Sequence, residues 1–249
     1  MHKFVSLSLL LPPSEGKAHG GRGRWDPTKG KVSAFAGLAR RREQIAHALA
    51  AVGGGDEKLL GVGGAHLVRA QSANSSLLGA PVLRAAERYT GVVWDHLDLA
   101  SLTVEQRRRA GTSIAVVSGL LGVVGVDDLI PDYRLKMAAS LAPMGRLSTW
   151  WRPAVSEAIN TWARRRYVID VLPNEHRSAW VPEHVRGVTV SFVERSHASS
   201  GKVAGKVAGH DAKAAKGRLV RHVLTFDGHP ENALSTWSDD RFALSIVAL

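Results

Sequence analysis

The apolar positions of this chain fall into short continuous runs and into longer segments with helical spacing. Short continuous runs predict buried strands. The first extends from Phe4 to Leu11, where Pro12 and Pro13 end it. Four further strands are predicted along the chain, at residues 112–118, 167–172, 187–193 and 241–249.

Apolar residues three or four positions apart predict helices between these strands. Ser33 to Val52 has one apolar face and ends at glycines, and Leu147 to Arg166 predicts an amphipathic helix rich in tryptophan. Two further short helices are predicted on either side of residues 61–64, and Pro81 opens another. A short helix is predicted after the glycine-rich turn at 118–122. The last predicted helix is basic and ends near residue 224, and a repeat of Gly-Lys-Val-Ala at residues 201–208 precedes it.

Strands and helices alternate along the whole chain without a proline- or serine-rich linker. Such alternation is typical of α/β proteins. We therefore expect residues 1–249 to form a single α/β domain, with a mixed β-sheet flanked by helices.

Composition narrows the class of protein. Apolar residues make up 45% of the chain and charged residues 22%, as in ordinary globular proteins. No apolar stretch approaches the roughly 20 residues that span a bilayer, and the first residues lack the order of a signal peptide, so we expect a cytoplasmic protein without a membrane partner. Cysteine is absent, which excludes disulfides and thiolate chemistry.

Candidate metal and hydrolase motifs are also missing. The histidines lack the spacing of known ligand motifs, and no Gly-x-Ser-x-Gly elbow occurs. The sequence therefore predicts neither a metal site nor a cofactor.

Charge is the most informative bulk property. Lys and Arg number 33 against 22 Asp and Glu, giving a net charge of +11. Such an excess favours polyanionic or phosphorylated partners. Part of this charge is clustered in three arginine triplets, at residues 40–42, 107–109 and 164–166. We expect each triplet at the end of a helix, where cations interact favourably with the helix dipole. A phosphate site is the alternative.

The turn after the first strand is the first candidate site. Ser14, Glu15, Gly16 and Lys17 follow the strand end, and a lysine beside a glycine there suits an anion. The full phosphate-loop pattern is absent, since Leu11 stands at its first glycine position. A simple turn is the alternative.

The second candidate is the glycine-rich link between the two short helices. Gly61, Val62, Gly63 and Gly64 match the apolar and glycine pattern of a helix-hairpin-helix element, whose backbone amides face the phosphates of DNA. The alternative is a tight link between helices that pack in the core.

Two further clusters complete the candidates. Ser118 and Gly119 end a strand shortly before Tyr133 and Arg134, and an arginine fork with a tyrosine donor suits a phosphate or carboxylate. The basic helix carries further candidates near its start, where a solvated surface is the alternative: His210, Lys213 and Lys216.

Taken in order and spacing, these motifs resemble the YaaA family, the peroxide stress response proteins. The similarity extends from about residue 4 to residue 225, and the segment "SGLLGVVGVDDLIPDYRLKM" is its most specific part. The resemblance implies one α/β domain with a broad basic cleft and a helix-hairpin-helix element. It also implies binding of single- and double-stranded DNA and protection against peroxide linked to lower free iron.

The resemblance also implies site residues. The strand-end lysine of the family corresponds to Lys17, its Ser-Gly pair to residues 118–119, its Tyr-Arg pair to residues 133–134 and its late lysine to Lys213. The chain departs from the family pattern at Lys136, at residues 174–176 and at residues 209–211.

Two functions remain open at the level of sequence. The first is a monomeric DNA-binding stress protein that contacts the phosphate backbone through the residue 61–64 link and Lys216. The second is an enzyme whose cleft holds a small phosphorylated or carboxylated substrate. In that case Lys17, Arg134 and Lys213 would bind the substrate, with Lys17 also counted among the catalytic residues. Glu15, Tyr133 or His210 would act as acid or base, and Arg134 would lower the pKa of Tyr133.

Overall fold

The computed structural model describes residues 6–30, 33–195 and 209–249. Phe4 and Val5 of the first predicted strand lie outside these ranges, as does the Gly-Lys-Val-Ala repeat. Within the described residues the prediction of a mixed α/β fold is confirmed, because helices flank a six-stranded mixed sheet.

The strands are β1 Ser6–Leu11, β2 Val82–Arg84, β3 Ile114–Ser118, β4 Gly122–Gly125, β5 Leu129–Pro131, β6 Ser140–Leu141, β7 Gly145–Arg146, β8 Arg166–Asp170, β9 Arg186–Glu194 and β10 Phe242–Ala248. The central sheet has the strand order β10-β9-β8-β1-β3-β4. The strand β1 runs parallel to both of its neighbours, β3 and β8, whereas β4 and β10 are antiparallel to theirs.

Helices cover the sheet, and one hydrophobic cluster runs through it. The long helix α7 packs on β4 and on a 3-10 helix at Ser33–Leu38, while α9 packs against α5. The helices are α1 Ala39–Ala51, α2 Glu57–Leu60, α3 Gly64–Ser75, α4 Ala85–Arg88, α5 Val92–Leu97, α6 Val104–Ser113, α7 Leu147–Ala163, α8 Asn174–Arg177, α9 His210–Thr225 and α10 Pro230–Thr236, with a second 3-10 helix at Leu99–Ser101.

The first strand forms because its side chains are buried on both faces. Leu9, Leu10 and Leu11 have no exposed surface, as expected for a strand inside a parallel sheet covered by helices. The two prolines that follow end the strand, since proline supplies no backbone donor. The chain therefore leaves the sheet at Pro12.

Two predicted helices are wrong. The helix opened by Pro81 is instead the strand β2 followed by the one-turn helix α4, because residues 82–84 pair with β5. The short helix after the glycine-rich turn is the strand β4, since Val123 and Val124 continue antiparallel against β3. In both cases tertiary pairing outweighs local helical spacing.

The first arginine triplet, expected at a helix end that suits cations, lies at the amino-terminal end of α1, where the helix dipole disfavours positive charge. Arg41 lies over the Trp150 ring at 4.6 Å and donates to the Trp150 carbonyl. Arg42 is buried and donates to the carbonyls of Pro27, Leu121 and Val123. These contacts bind α1 to its neighbours and explain why the cations tolerate this end of the helix.

Candidate functional site

The carboxyl ends of β1, β3 and β8 lie together at one edge of the sheet. Ligands of open α/β sheets bind outside this edge, where neighbouring connections diverge. A cavity of about 330 Å³ opens there, and we call it the strand-end cavity. Its lining includes five basic residues and two glutamates: Lys17, Arg134, Lys136, Lys213, Lys216, Glu15 and Glu175.

The turn after β1 forms one wall of the strand-end cavity. It is held against the segment after α4, because Lys17 pairs with Tyr89 as an isolated β-bridge and Thr90 N donates to the Gly16 carbonyl at 3.2 Å. A side chain at Gly16 would place its first carbon 3.1 Å from the Thr90 hydroxyl. Glycine therefore lets the turn approach its partner closely, and this pairing directs Lys17 inward.

Lys17 is buried, with 7% of its surface exposed. Its Nζ donates to the Ser14 carbonyl at 2.8 Å and lies 4.1 Å from the centre of the Tyr133 ring. Burial lowers the pKa of Lys17 to about 7, an effect that Asp132 partly opposes and that Arg134 reinforces. Near neutral pH, a large fraction of this amine is therefore uncharged.

A chain of hydroxyl groups lies behind Lys17. The Tyr133 hydroxyl is 2.8 Å from that of Tyr89 and 2.6 Å from the Ser118 Oγ, which also accepts from Leu121 N at 3.3 Å. Burial raises the pKa of Tyr133 to about 12 and raises that of Tyr89 as well. The expectation of a lowered Tyr133 pKa is therefore wrong, because desolvation outweighs the opposing hydrogen bonds with Ser118 and Tyr89.

Ser118 and Gly119 lie off the lining of the strand-end cavity. Ser118 ends the hydroxyl chain, and a side chain at Gly119 would place its first carbon 2.7 Å from the Leu135 carbonyl. The Gly119 carbonyl accepts from Trp151 Nε1 at 2.8 Å. The space beside Gly119 is therefore filled by the protein's own backbone and not by a ligand. This packing positions the segment that carries Arg134 and Lys136.

Arg134 is fixed from several sides. Its Nη2 donates to Glu15 Oε2 at 2.7 Å, its Nε donates to the Leu60 carbonyl, and its backbone is bound on both sides by Asn74. The neighbouring carboxylate of Asp132 is taken up by Arg69 at 2.8 Å. The two acids nearest Lys17 are therefore each paired with an arginine, and neither forms an ion pair with the lysine.

The opposite wall comes from α8 and α9. Lys213 is exposed in the first turn of α9, while the Lys216 Nζ donates to the Val171 carbonyl. His176 is 6% exposed, and its pKa is lowered to about 4 by burial and then by Lys216, with Glu15 opposing. At neutral pH the imidazole is therefore uncharged.

Two lining residues carry buried polar atoms without a hydrogen-bond partner among the described residues. They are Trp94 Nε1 and His176 Nδ1, the latter 3.4 Å from a Glu175 oxygen but without hydrogen-bond geometry to it. Such orphaned groups are uncommon in native proteins. Both atoms are closed off from solvent, so they lie within the wall of the strand-end cavity and not on its surface.

The glycine-rich link lies beside the strand-end cavity rather than in it. Gly61 ends α2 with a φ of 62°, and α3 begins after Gly63. A side chain at Gly61 would place its first carbon 2.5 Å from the Lys136 Nζ, so this ammonium lies over the link. Lys136 therefore connects the exposed link to the cavity, although α2 is only one turn long.

The other candidates separate from one another. His210 is exposed near Asp211 and does not line the strand-end cavity, whereas Lys216, expected at a DNA surface, does. The departures from the family pattern at Lys136 and at residues 174–176 are expected in the cleft, and Lys136 and His176 both line the strand-end cavity. His176 lies six residues after the end of β8.

Two further findings concern the described part of the chain as a whole. Within residues 6–30, 33–195 and 209–249, no group of three or more potential ligands among His, Asp and Glu is arranged to hold a metal ion. No helix in those ranges has the length and apolar character needed to cross a bilayer.

Comparison with known proteins gives a consistent result. The sequence profile described as peroxide stress protein YaaA matches residues 7–245. A UPF0246 protein of Streptomyces coelicolor is 38% identical over 230 residues, which cover 90% of this chain and 85% of that protein. A UPF0246 protein of Corynebacterium glutamicum is 31% identical over 232 residues, covering 91% of this chain and 89% of that protein.

Proposed function

This chain belongs to the family of peroxide stress protein YaaA, which supports a general role in oxidative stress, and from that premise we propose that it acts by binding a small phosphorylated or carboxylated molecule in the strand-end cavity. The observation that carries the proposal is the convergence of cations on a pocket with a buried floor. Five basic side chains line it against two glutamates, and one of those glutamates is already paired with Arg134. A small anion would neutralise the excess.

The buried position of Lys17 supports the same proposal. Its side chain lines the cavity and is only 7% exposed. A small anion that enters the cavity would contact it, whereas a long polyanion that runs over the surface would not.

The expected result is selective stabilisation by small anions. A thermal-shift screen with inorganic phosphate, phosphosugars, nucleotides and dicarboxylates should raise the melting temperature for one class of compound. Lys213→Gln should reduce the shift, since Lys213 lies on the lining. Lys58→Gln, on the exposed surface of α2, is the matched control. Equal shifts in both variants would contradict the proposal.

We propose DNA-backbone binding at the glycine-rich link as a second candidate. It is favoured by the position of the Lys136 ammonium over Gly61, next to the exposed first turn of α3. Backbone amides and a cation together suit a phosphate. Substituting Gly61 itself would be a poor test, because its N–H donates to the Glu57 carbonyl and its φ is positive.

Ala65→Glu is a sharper test of that candidate. It places a carboxylate on the exposed first turn of α3, where it suits the helix dipole but repels phosphate. Duplex affinity should fall, and the decrease of log affinity with log salt should become shallower. Val104→Glu, at the exposed start of α6, is the control. Unchanged affinity in folded Ala65→Glu protein would retire the DNA candidate.

A further inference from the structure

Among the cations that line the strand-end cavity, Lys17 has an environment that suits a reactive amine as well as a ligand contact. Four other cations on the lining would suffice to attract an anion, and Lys17 is the one that is buried. Burying an ammonium is costly unless it is paired with a charge. Among the described residues Lys17 forms no ion pair, because the nearby carboxylates of Glu15 and Asp132 are bound to Arg134 and Arg69.

The surroundings of Lys17 preserve a reactive amine. The Nζ contacts the Ser14 carbonyl and the face of Tyr133. Neither group is a negatively charged partner that would hold the lysine in its ammonium form. With a pKa of about 7, its uncharged fraction at neutral pH exceeds that of an ordinary lysine about a thousandfold. Desolvated lysines of this kind are the ones that attack carbonyl groups.

We propose that Lys17 forms an imine with the carbonyl group of an aldehyde or 2-oxo acid whose phosphate or carboxylate is held by the other cations of the strand-end cavity. This inference rests on the proposed function and adds to it a covalent step and a substrate class. The buried amine supplies the nucleophile, and the basic lining supplies the anion site.

The step balances without any further reagent. The nitrogen lone pair attacks the carbonyl carbon, the two hydrogens of the amine leave with the carbonyl oxygen as water, and a carbon–nitrogen double bond forms. Nothing is oxidised or reduced. Water leaves once the carbinolamine oxygen is protonated. The uncharged imidazole of His176, on the same lining, accepts the proton that the attacking nitrogen releases and passes it to this oxygen, whereas the Tyr133 hydroxyl is engaged by Tyr89 and Ser118.

Reductive trapping tests the proposal directly. The full chain is incubated with pyridoxal 5′-phosphate, or separately with glyoxylate, and then with cyanoborohydride, and the modified lysine is located by peptide mass spectrometry. We expect one dominant adduct on Lys17. The rate of modification should rise with a midpoint near pH 7, because burial lowers the pKa of Lys17 to that value. The charged groups that face Lys17 act in both directions: Asp132 and Glu15 raise its pKa, whereas Arg134 and Arg69 lower it.

Variants separate this site from surface lysines. Lys17→Met should abolish the dominant adduct, while Lys58→Met, on the exposed surface of α2, should leave it unchanged. The probe 5-deoxypyridoxal, which has the aldehyde but no phosphate, should react at Lys17 at least about tenfold more slowly, because it lacks the charge-assisted contacts of the anion. Equal reaction of the two probes, or labelling spread over exposed lysines, would overturn the proposal.

A non-covalent ligand distinguishes failure of this inference from failure of the proposed function. Pyridoxine 5′-phosphate carries the phosphate but no aldehyde, and its binding is measured by thermal shift in the wild type and in Lys17→Met. Binding of this ligand without an adduct on Lys17 would overturn the imine and leave the anion site standing. Absence of both binding and adduct would overturn both.

Discussion

Lys17 links the stability of the protein to pH. Its pKa is about 7 when folded and near 10.5 when exposed, so between these values the unfolded chain holds a proton that the folded chain lacks. The free energy of unfolding therefore rises with pH across this window, and the cost of burying the ammonium is fully present below pH 7.

Lys17→Met should remove that cost. We expect the variant to be more stable than the wild type by up to about 4 kcal/mol at pH 6, with the difference shrinking towards pH 10. Urea unfolding at several pH values measures it. A variant that is destabilised at pH 6 would show that the contacts of Nζ with Ser14 and Tyr133 outweigh desolvation.

His176 affects stability in the same sense as Lys17 but at lower pH. Its pKa falls from 6.5 to about 4 on folding, so protonation favours the unfolded chain as the pH drops through this window. Between pH 6.5 and 4 this protonation should cost the wild type about 3 kcal/mol of its free energy of unfolding, and His176→Gln should not show that loss. His47→Gln, at the exposed face of α1, should leave the acid limb unchanged. Identical acid limbs for the wild type and His176→Gln would contradict the assignment.

At the residue scale, the sequence predicted the positions that follow strand ends but not their partners. Lys17 and Arg134 were chosen because they follow a strand or a glycine-rich segment, and both line the strand-end cavity. The hydroxyl chain of Tyr89, Tyr133 and Ser118 joins three separate segments, and no local pattern encodes it. The pairing of Arg134 with Glu15 has the same long-range origin.

At the scale of elements, α7 supports the site from behind. Trp151 is fully buried, donates to the Gly119 carbonyl, and fills the space that a side chain at Gly122 would need. The turn between β3 and β4 therefore rests on this indole. Gly119 in turn packs against the backbone of Leu135 and Lys136. Through this contact α7 positions the segment that carries Arg134 and Lys136, two of the cations that line the cavity.

Trp151→Phe should lower the free energy of unfolding by about 2 kcal/mol, since it leaves the Gly119 carbonyl unpaired and opens a small void. It should also weaken anion binding through the displaced segment. Trp162→Phe, at a half-buried position of the same helix, is the control and should affect stability less. Urea unfolding and the thermal-shift screen read the two effects, and anion binding that survives intact would show that α7 does not position the site.

The strands that sequence patterns predicted are those that coincide with a long apolar run. These are β1, β3, β8, β9 and β10, of which β9 and β10 are largely half-buried or exposed. By contrast, β2 and β5 have only three residues each and exist because they pair with one another. The helix α7 was recognised because its apolar stripe persists over many turns. Short elements depend on partners that are remote in sequence, so local spacing assigns them wrongly.

At the scale of the whole molecule, the strand-end cavity joins distant parts of the chain: the turn after β1, residues 133–136, α8 and α9. A ligand bound there contacts all of them and should stabilise the folded state as one unit. At a free ligand concentration about a hundredfold above Kd, we expect about 2.7 kcal/mol of added stability. Hydrogen exchange should slow in β1, β3 and β8 together, and protection confined to one wall would contradict this coupling.

The central position of β1 has a consequence for how the chain folds. This strand is synthesised before both of its partners in the sheet, which are residues 114–116 and 166–170. Contacts so remote in sequence slow folding, because a long loop must close before they form. During synthesis, the leucine-rich β1 therefore stays unpaired along both edges until β3 and β8 have been made, and unpaired apolar strands are prone to aggregation. Expression of this protein should accordingly depend on chaperones more than its final stability would suggest.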